Sequence, residues 1–190
     1  MDFKIIGVVG QIASGKGMLV NYLTSYFDFI SFSLSSIVHT ELEKKGIKKY
    51  TRQTLQDMGD ELRREEGANV LARRTLNRLN QLNRPENIVI EGIRNTAEVE
   101  FLKKNPNFVL IGVKASRRLR FRRLLSRGKK WDPQTYEDFL KVDRRDLGIG
   151  QNKSGQQVGK CLAYCDYVLT NNKDVKDFEG KIRELMKKIV

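Results

Sequence analysis

The apolar run Phe3–Val9 leads straight into Gly10-Gln11-Ile12-Ala13-Ser14-Gly15-Lys16, and that loop opens an amphipathic stretch over Met18–Phe27. A strand, a glycine loop and a helix in this order restrict the chain to folds that set a helix N-terminus at the tip of a buried strand. The G-x-x-x-x-G-K spacing has a physical reason. Glycines let successive backbone N–H groups turn inward as an anion nest, the helix N-terminus adds partial positive charge, and Lys16 reaches the outer phosphates of a bound nucleotide. Gly10, Gln11, Ile12, Ala13, Ser14, Gly15, Lys16, Gly17 and Met18 are therefore the expected nucleotide-binding residues. Gly17 stands where such loops usually carry Ser or Thr, and Met18 follows it, so no loop hydroxyl is left to hold magnesium directly.

Five short apolar runs, Ile5–Val9, Phe29–Ser33, Ile88–Glu91, Phe108–Val113 and Tyr167–Thr170, read as buried strands. Helical patterns between them predict an α/β fold in which a parallel sheet is covered on both faces. Pro85, Pro106 and Pro133 all fall between elements, and Lys173–Val190 reads as a closing helix with Val175, Phe178, Ile182, Leu185 and Ile189 on its apolar side. With 190 residues, 39% of them hydrophobic, the chain is expected to form one domain over residues 1–190 around one substantial core. Two connections exceed a simple crossover. Residues 34–87 have room for helices near Ser36–Lys45, Arg52–Glu66 and Ala68–Leu82. Residues 114–165 carry an arginine-dense helix, a Gly/Lys/Trp/Pro turn, a charged helix and the loop Gly148–Gly159. Both leave the carboxyl ends of parallel strands, where ligands bind in open α/β sheets, and so read as a substrate clamp and a lid.

An excess of 36 Lys and Arg over 23 Asp and Glu gives a formal charge of +13, which predicts attraction to polyanions, nucleotides first and nucleic acid nonspecifically. RNA-recognition signatures, a helix-turn-helix pattern and an aromatic stacking ladder are absent from the sequence. No run approaches the ~18–20 apolar residues of a membrane span, and Met1-Asp2-Phe3-Lys4 has no signal-peptide character, so a cytoplasmic protein without a membrane partner is expected. Cys161, Cys165 and His39 are too scattered for a zinc site, and the cysteines read as packing residues.

Three further segments carry chemistry. The third strand ends in Val89-Ile90-Glu91-Gly92-Ile93-Arg94, where a carboxylate at the strand tip is placed to orient the water shell of magnesium and an arginine to grip a phosphate. On a helix, Arg120, Arg123 and Arg127 form a cationic row whose mutual repulsion requires anions or acids to face it. In Asp143-Arg144-Arg145-Asp146, either arginine could stabilise the charge of a transferred phosphoryl group.

Over nearly the whole chain, Gly10–Gly17, Glu61-Leu62-Arg63-Arg64-Glu65-Glu66-Gly67, Glu91–Arg94, the arginine row and Ala163–Asn171 resemble P-loop kinases related to adenylate, cytidylate and deoxynucleoside monophosphate kinases and to dephospho-CoA kinase. The resemblance implies a three-layer P-loop fold with a five-stranded parallel sheet in the order 2-3-1-4-5, an acceptor-binding insertion and a lid. It implies ATP and Mg²⁺ as cofactors and transfer of the γ-phosphate to a nucleoside or deoxynucleoside monophosphate. Magnesium would be held mostly by phosphates and by waters that Glu91 orients. Arg94 would hold the acceptor phosphate, Arg123 would lie on the adenine face, Arg127 at the transferred phosphate, and Arg144 or Arg145 would complete the lid. Ser36 and His39 occupy the positions of the family's acceptor-binding acid and arginine. A histidine with a pKa near ~6.5 is largely neutral at pH 7, which leaves Arg63 or Arg64 to compensate. Dephospho-CoA kinase, a basic nucleic-acid-binding NTPase and a nucleotide sensor without turnover are the alternative readings.

Overall fold

Alternation along β1 (Ile5–Gly10) sorts its side chains onto two cores, as a period of two requires. Ile5 and Val9 join one cluster and Ile6 and Val8 the other. The computed structural model describes residues 4–79 and 87–189. After β1 come α1 (Lys16–Tyr26), β2 (Ile30–Ser33), α2 (Leu34–Lys44), α3 (Arg52–Glu66), α4 (Val70–Leu79), β3 (Ile88–Glu91), α5 (Thr96–Leu102), β4 (Phe108–Lys114), α6 (Arg117–Arg127), α7 (Tyr136–Leu147), α8 (Val158–Cys161), β5 (Tyr167–Thr170) and α9 (Val175–Ile189). The five strands form one parallel sheet in the order β2-β3-β1-β4-β5.

On one face, Leu19 and Leu23 of α1 and Phe178, Ile182 and Met186 of α9 cover Ile6, Val8, Val89 and Ile111. On the other, α2, α3 and α4 contribute Leu34, Ile37, Leu42, Leu55 and Leu71, packed with Ile5, Ile90 and Leu110. A third, small cluster joins Ile12 of the glycine loop to Leu124 of α6 and Phe139 of α7, so the loop is packed against the 114–165 connection.

All five strands lie where the sequence indicates, but two are not buried. β2 and β5 are the sheet edges, and with one neighbour each they leave Ile30 39% and Val168 45% exposed. Val175 is also exposed, because it is the first residue of α9 and precedes the turn that reaches the sheet. Phe3, Leu82, Pro85 and Val190 lie outside the described residues. Cys161 is buried in the core, and Cys165 fits against Gly112 of β4, where a Cβ would come within 2.9 Å of its sulfur. Burial raises both thiol pKa values, that of Cys165 to about 12, so both are protonated near neutrality. Among the described residues no helix is long and apolar enough to cross a membrane.

Candidate active site

The glycine loop runs from the end of β1 into α1, and its shape is held from outside by two distant side chains. Gly15 adopts φ 109°, and a Cβ there would fall 2.1 Å from Asn171 Nδ2, so only glycine fits. Asn171 Nδ2 donates to Ser14 O (3.0 Å), and Arg120 Nη1 donates to Ile12 O (3.2 Å). Lys16 Nζ donates to Gly10 O (2.7 Å) and Gln11 O (2.9 Å), folding the lysine over the nest. Burial and the neighbouring Arg94 lower the Lys16 pKa from 10.5 to about 7, against the opposing pull of Asp146 and Glu91. Ser14 Oγ is buried with no partner, and the space beside Gly17 is open, so sterics do not explain the missing loop hydroxyl.

In front of the loop lies a cleft of about 400 Å³ lined by Ile12–Met18, Ser33, Ser35 and Glu91, and by the cations Lys16, Arg52, Arg94, Arg123, Arg127 and Lys129. Among the described residues Glu91 is the single carboxylate in that lining. Such an imbalance in a partly desolvated concavity favours a polyanion. Glu91 ends β3, and Gly92 at φ 82° turns the chain close to the β2–α2 junction, where a Cβ would sit 3.2 Å from Ser35 N. Glu91, Ser33 and Ser35 therefore bring a carboxylate and two hydroxyls to one side of the cleft, a set of hard oxygens suited to the hydration shell of Mg²⁺. Among the described residues no three His, Cys, Asp or Glu side chains converge to hold a metal by themselves.

Each arginine in the cleft has an acceptor that fixes it. Arg94 pairs through Nη1 with the fully buried Asp146 of α7. Its backbone N donates to Glu98 Oε2 (2.8 Å), and Glu98 accepts Arg63 Nε on its other oxygen (2.8 Å). Arg63 thus stands behind Arg94 in a buried pair, with Asp60 at 3.3 Å as its second partner. Arg123 donates to Asn171 O and Oδ1 (both 3.0 Å), tying it to the residue that supports Gly15. Arg127 and Arg52 share Asp132, at 2.6 and 2.9 Å. Arg52 opens α3 behind the capping box of Thr51 and Thr54, a position where the helix dipole disfavours a cation, and Asp132 offsets that.

The arginine row divides. Arg123 and Arg127 reach the cleft, whereas Arg120 is buried in a bidentate pair with Asp143 (2.6 and 2.9 Å) under Phe139, so it braces the loop and does not meet a ligand. Asp143-Arg144-Arg145-Asp146 also points differently from the expectation. Residues 143 and 146 share the inner face of α7, which carries both arginines away from the cleft. Arg144 is exposed, and Arg145 pairs with Asp57 (2.6 Å) and Asp60 (2.7 Å) of α3, in a separate surface cleft that also receives Arg64. Ser36 is likewise exposed, its Oγ donating to Ser33 O (2.7 Å), and Ser35 lines the cleft in its place.

A second chamber of about 100 Å³ adjoins the first and shares Ser35, Arg52, Gly92, Arg94 and Lys129 with it. His39 lies here. Its Nδ1 is 2.9 Å from Tyr50 Oη, and burial and Arg52 lower its pKa, so the ring is neutral at pH 7 and serves as an aromatic wall. Gln56, Trp131 and Gln156 complete the chamber. None of these, nor Asp132, carries a local motif; the lone tryptophan in the basic turn before Pro133 is the nearest to a signal.

The chain is 31% identical to a UPF0200 protein of Pyrococcus horikoshii over 190 residues, 98% of this chain and 97% of that protein. It is also 31% identical to a UPF0200 protein of Methanothermobacter thermautotrophicus, over 100% of this chain and 92% of that one. It matches no protein-family model. Among solved structures, shikimate kinase from Bacteroides thetaiotaomicron aligns with a TM-score of 0.62 over 98% of both chains at 15% identity. Shikimate kinase from Acinetobacter baumannii in complex with shikimate gives 0.59 over 98% of this chain and 94% of that one at 17% identity. At these identities the likeness is one of fold, and the fold is a shikimate-kinase-like P-loop fold.

Proposed function

The chain belongs to the UPF0200 family, and from that premise we propose that it is an ATP-dependent phosphotransferase that moves the γ-phosphate of ATP to a nucleoside monophosphate or deoxynucleoside monophosphate. The observation that carries this reading is a phosphate-nest cleft and a second chamber sharing Arg52, Arg94 and Lys129, so that a donor and an acceptor meet over one set of cations. In this reading the loop amides and Lys16 hold the outer phosphates of ATP, Arg123 flanks its nucleoside, and Arg127 and Arg94 bracket the group in flight. Positioning and fixed positive charge supply most of the acceleration in such a transfer. Mg²⁺, when bound, neutralises developing charge on the phosphates, and Glu91, Ser33 and Ser35 are the residues that would orient its waters. The 34–87 connection forms the acceptor side, and the 114–165 connection closes over ATP and excludes water. Arg127, set in the cleft, takes the part that Arg144 or Arg145 would otherwise play.

An ATP-consumption screen over all ribo- and deoxynucleoside monophosphates, dephospho-CoA and shikimate tests this. Turnover on at least one nucleoside monophosphate is expected. Turnover confined to dephospho-CoA or shikimate would reassign the acceptor, and no turnover on any of them would remove the phosphotransferase reading.

A further inference from the structure

One face of α3 carries Arg52, Gln56, Gly59 and Arg63 at i, i+4, i+7 and i+11, and it forms a wall of the second chamber. Gln56 is 2% exposed. Its Nε2 donates to Gln156 Oε1 (3.1 Å) and points to Val142 O (3.4 Å), an arrangement that sets the amide orientation and leaves Gln56 Oε1 buried without a partner among the described residues. A buried acceptor left unsatisfied costs about 1–3 kcal/mol, so this oxygen calls for an N–H or O–H donor. Gln156 lines the same chamber and spends its own oxygen on Gln56, which leaves its Nε2 as a donor.

Two aromatic rings, Trp131 and His39, join the lining. Trp131 lies 5.9 Å from His39 and 5.8 Å from Tyr50 between ring centroids, and Val38, Leu55 and Leu71 add apolar surface. The chamber's arginines are already matched with acids: Arg52 with Asp132, Arg63 with Glu98, Arg94 with Asp146.

We propose that this chamber is a base-binding site, in which a nucleobase lies against Trp131 and His39 and presents a neighbouring donor and acceptor to Gln56 Oε1 and Gln156 Nε2. The sugar then leads towards Arg94, where the two cavities meet. This inference rests on the phosphotransferase reading for its biological sense but not for its test.

Trp131 is the only tryptophan, so its emission reports on the chamber directly. The four common ribonucleoside monophosphates, ribose 5-phosphate and shikimate are titrated into the full chain without ATP. At least one nucleotide is expected to change the emission and to bind about tenfold or more tighter than ribose 5-phosphate, which lacks the base. Gln56→Leu is expected to weaken that nucleotide about tenfold or more while calorimetric affinity for a non-hydrolysable ATP analogue stays unchanged. If Gln56→Leu melts far below the wild type, Gln156→Leu makes the same test. No response to any nucleotide, binding of ribose 5-phosphate or shikimate as tight as the best nucleotide, or full affinity in a folded variant would each overturn the base site. ATP consumption with shikimate alone would keep the phosphotransferase and overturn the base site. Base-dependent binding with no ATP consumption would keep the base site and overturn the phosphotransferase.

Discussion

The two cavities share a border but are built on opposite plans. The nest cleft is built around one consecutive run, Ile12–Met18, with backbone amides and cations facing one carboxylate. The second chamber is made of side chains gathered from α2, α3, the turn at Trp131 and the segment before α8, and it adds amides and aromatic rings to the Arg52 and Arg94 that it shares with the cleft. The first is fitted to bind charge, the second to read shape and hydrogen-bonding pattern. A site that discriminates by unpaired polar groups rejects a wrong ligand more strongly than one that offers charge alone.

Lys16→Ala gives the largest expected effect and strikes only the first plan. Removing the lysine that follows the moving phosphoryl group should reduce turnover about a hundredfold to a thousandfold, with the fold retained. Acceptor binding reported by Trp131 should survive. A folded Lys16→Ala enzyme with near-normal turnover would remove the kinase reading, and loss of acceptor binding would show that the two cavities are not separable.

Arg120→Ala tests whether the brace under the loop is structural. Removing one partner of a buried pair leaves Asp143 uncompensated, and the expected loss of stability is about 3–5 kcal/mol in chemical unfolding. If Arg120 instead served a ligand, stability would hardly change and nucleotide affinity would fall.

The difference between the cavities also explains what was legible in the sequence. Ile12–Gly17, Glu91 and Arg94 could be assigned to one cleft because a nest and a strand tip are encoded in contiguous residues. Strand positions and helix spans followed from apolar periodicity, which records burial directly, whereas the strand order came from the family resemblance. Gln56 and Gln156 stand 100 positions apart, and only the fold brings their amides together. Arg120, Arg144 and Arg145 stay out of the cleft for one reason. Periodicity gives the face of a helix, but which face turns inward depends on where Asp143 and Asp146 find partners, and Arg120 and Arg94 lie on other elements.

Arg94 lies on the border of the two cavities, and Arg94→Lys should have a smaller effect that falls on the acceptor. Lysine keeps the charge but loses the planar fork that can hold Asp146 and a phosphate together. Steady-state kinetics should show an acceptor KM raised about tenfold, or kcat lowered by a like factor, with the KM for ATP little changed. An unchanged acceptor profile would move the acceptor phosphate away from Arg94 and uncouple the chamber from the cleft.

The smallest expected effect is a proton. Burial and Arg94 bring the Lys16 pKa to about 7 in the ligand-free cleft, whereas an unfolded chain titrates it at its ordinary 10.5. Between these values the unfolded state binds more protons, so the cost of keeping Lys16 charged is fully present below about pH 7 and is relieved as pH rises towards 10.5. Stability of the ligand-free protein should therefore gain from this group across that window, and Lys16→Met should remove the gain. A polyanion in the cleft reverses the balance, because its charge favours the protonated amine. Nucleotide binding at about pH 8.5 should take up close to one proton, and at about pH 6 almost none from this group, with affinity falling by no more than about tenfold per pH unit above 7. Calorimetry in two buffers of different ionisation enthalpy measures the uptake. Lys16→Arg is the control, since a guanidinium stays charged throughout. Uptake that persists in Lys16→Arg would assign the proton to another group and weaken the contrast between a cleft tuned by desolvated charge and a chamber lined by amides and aromatic rings.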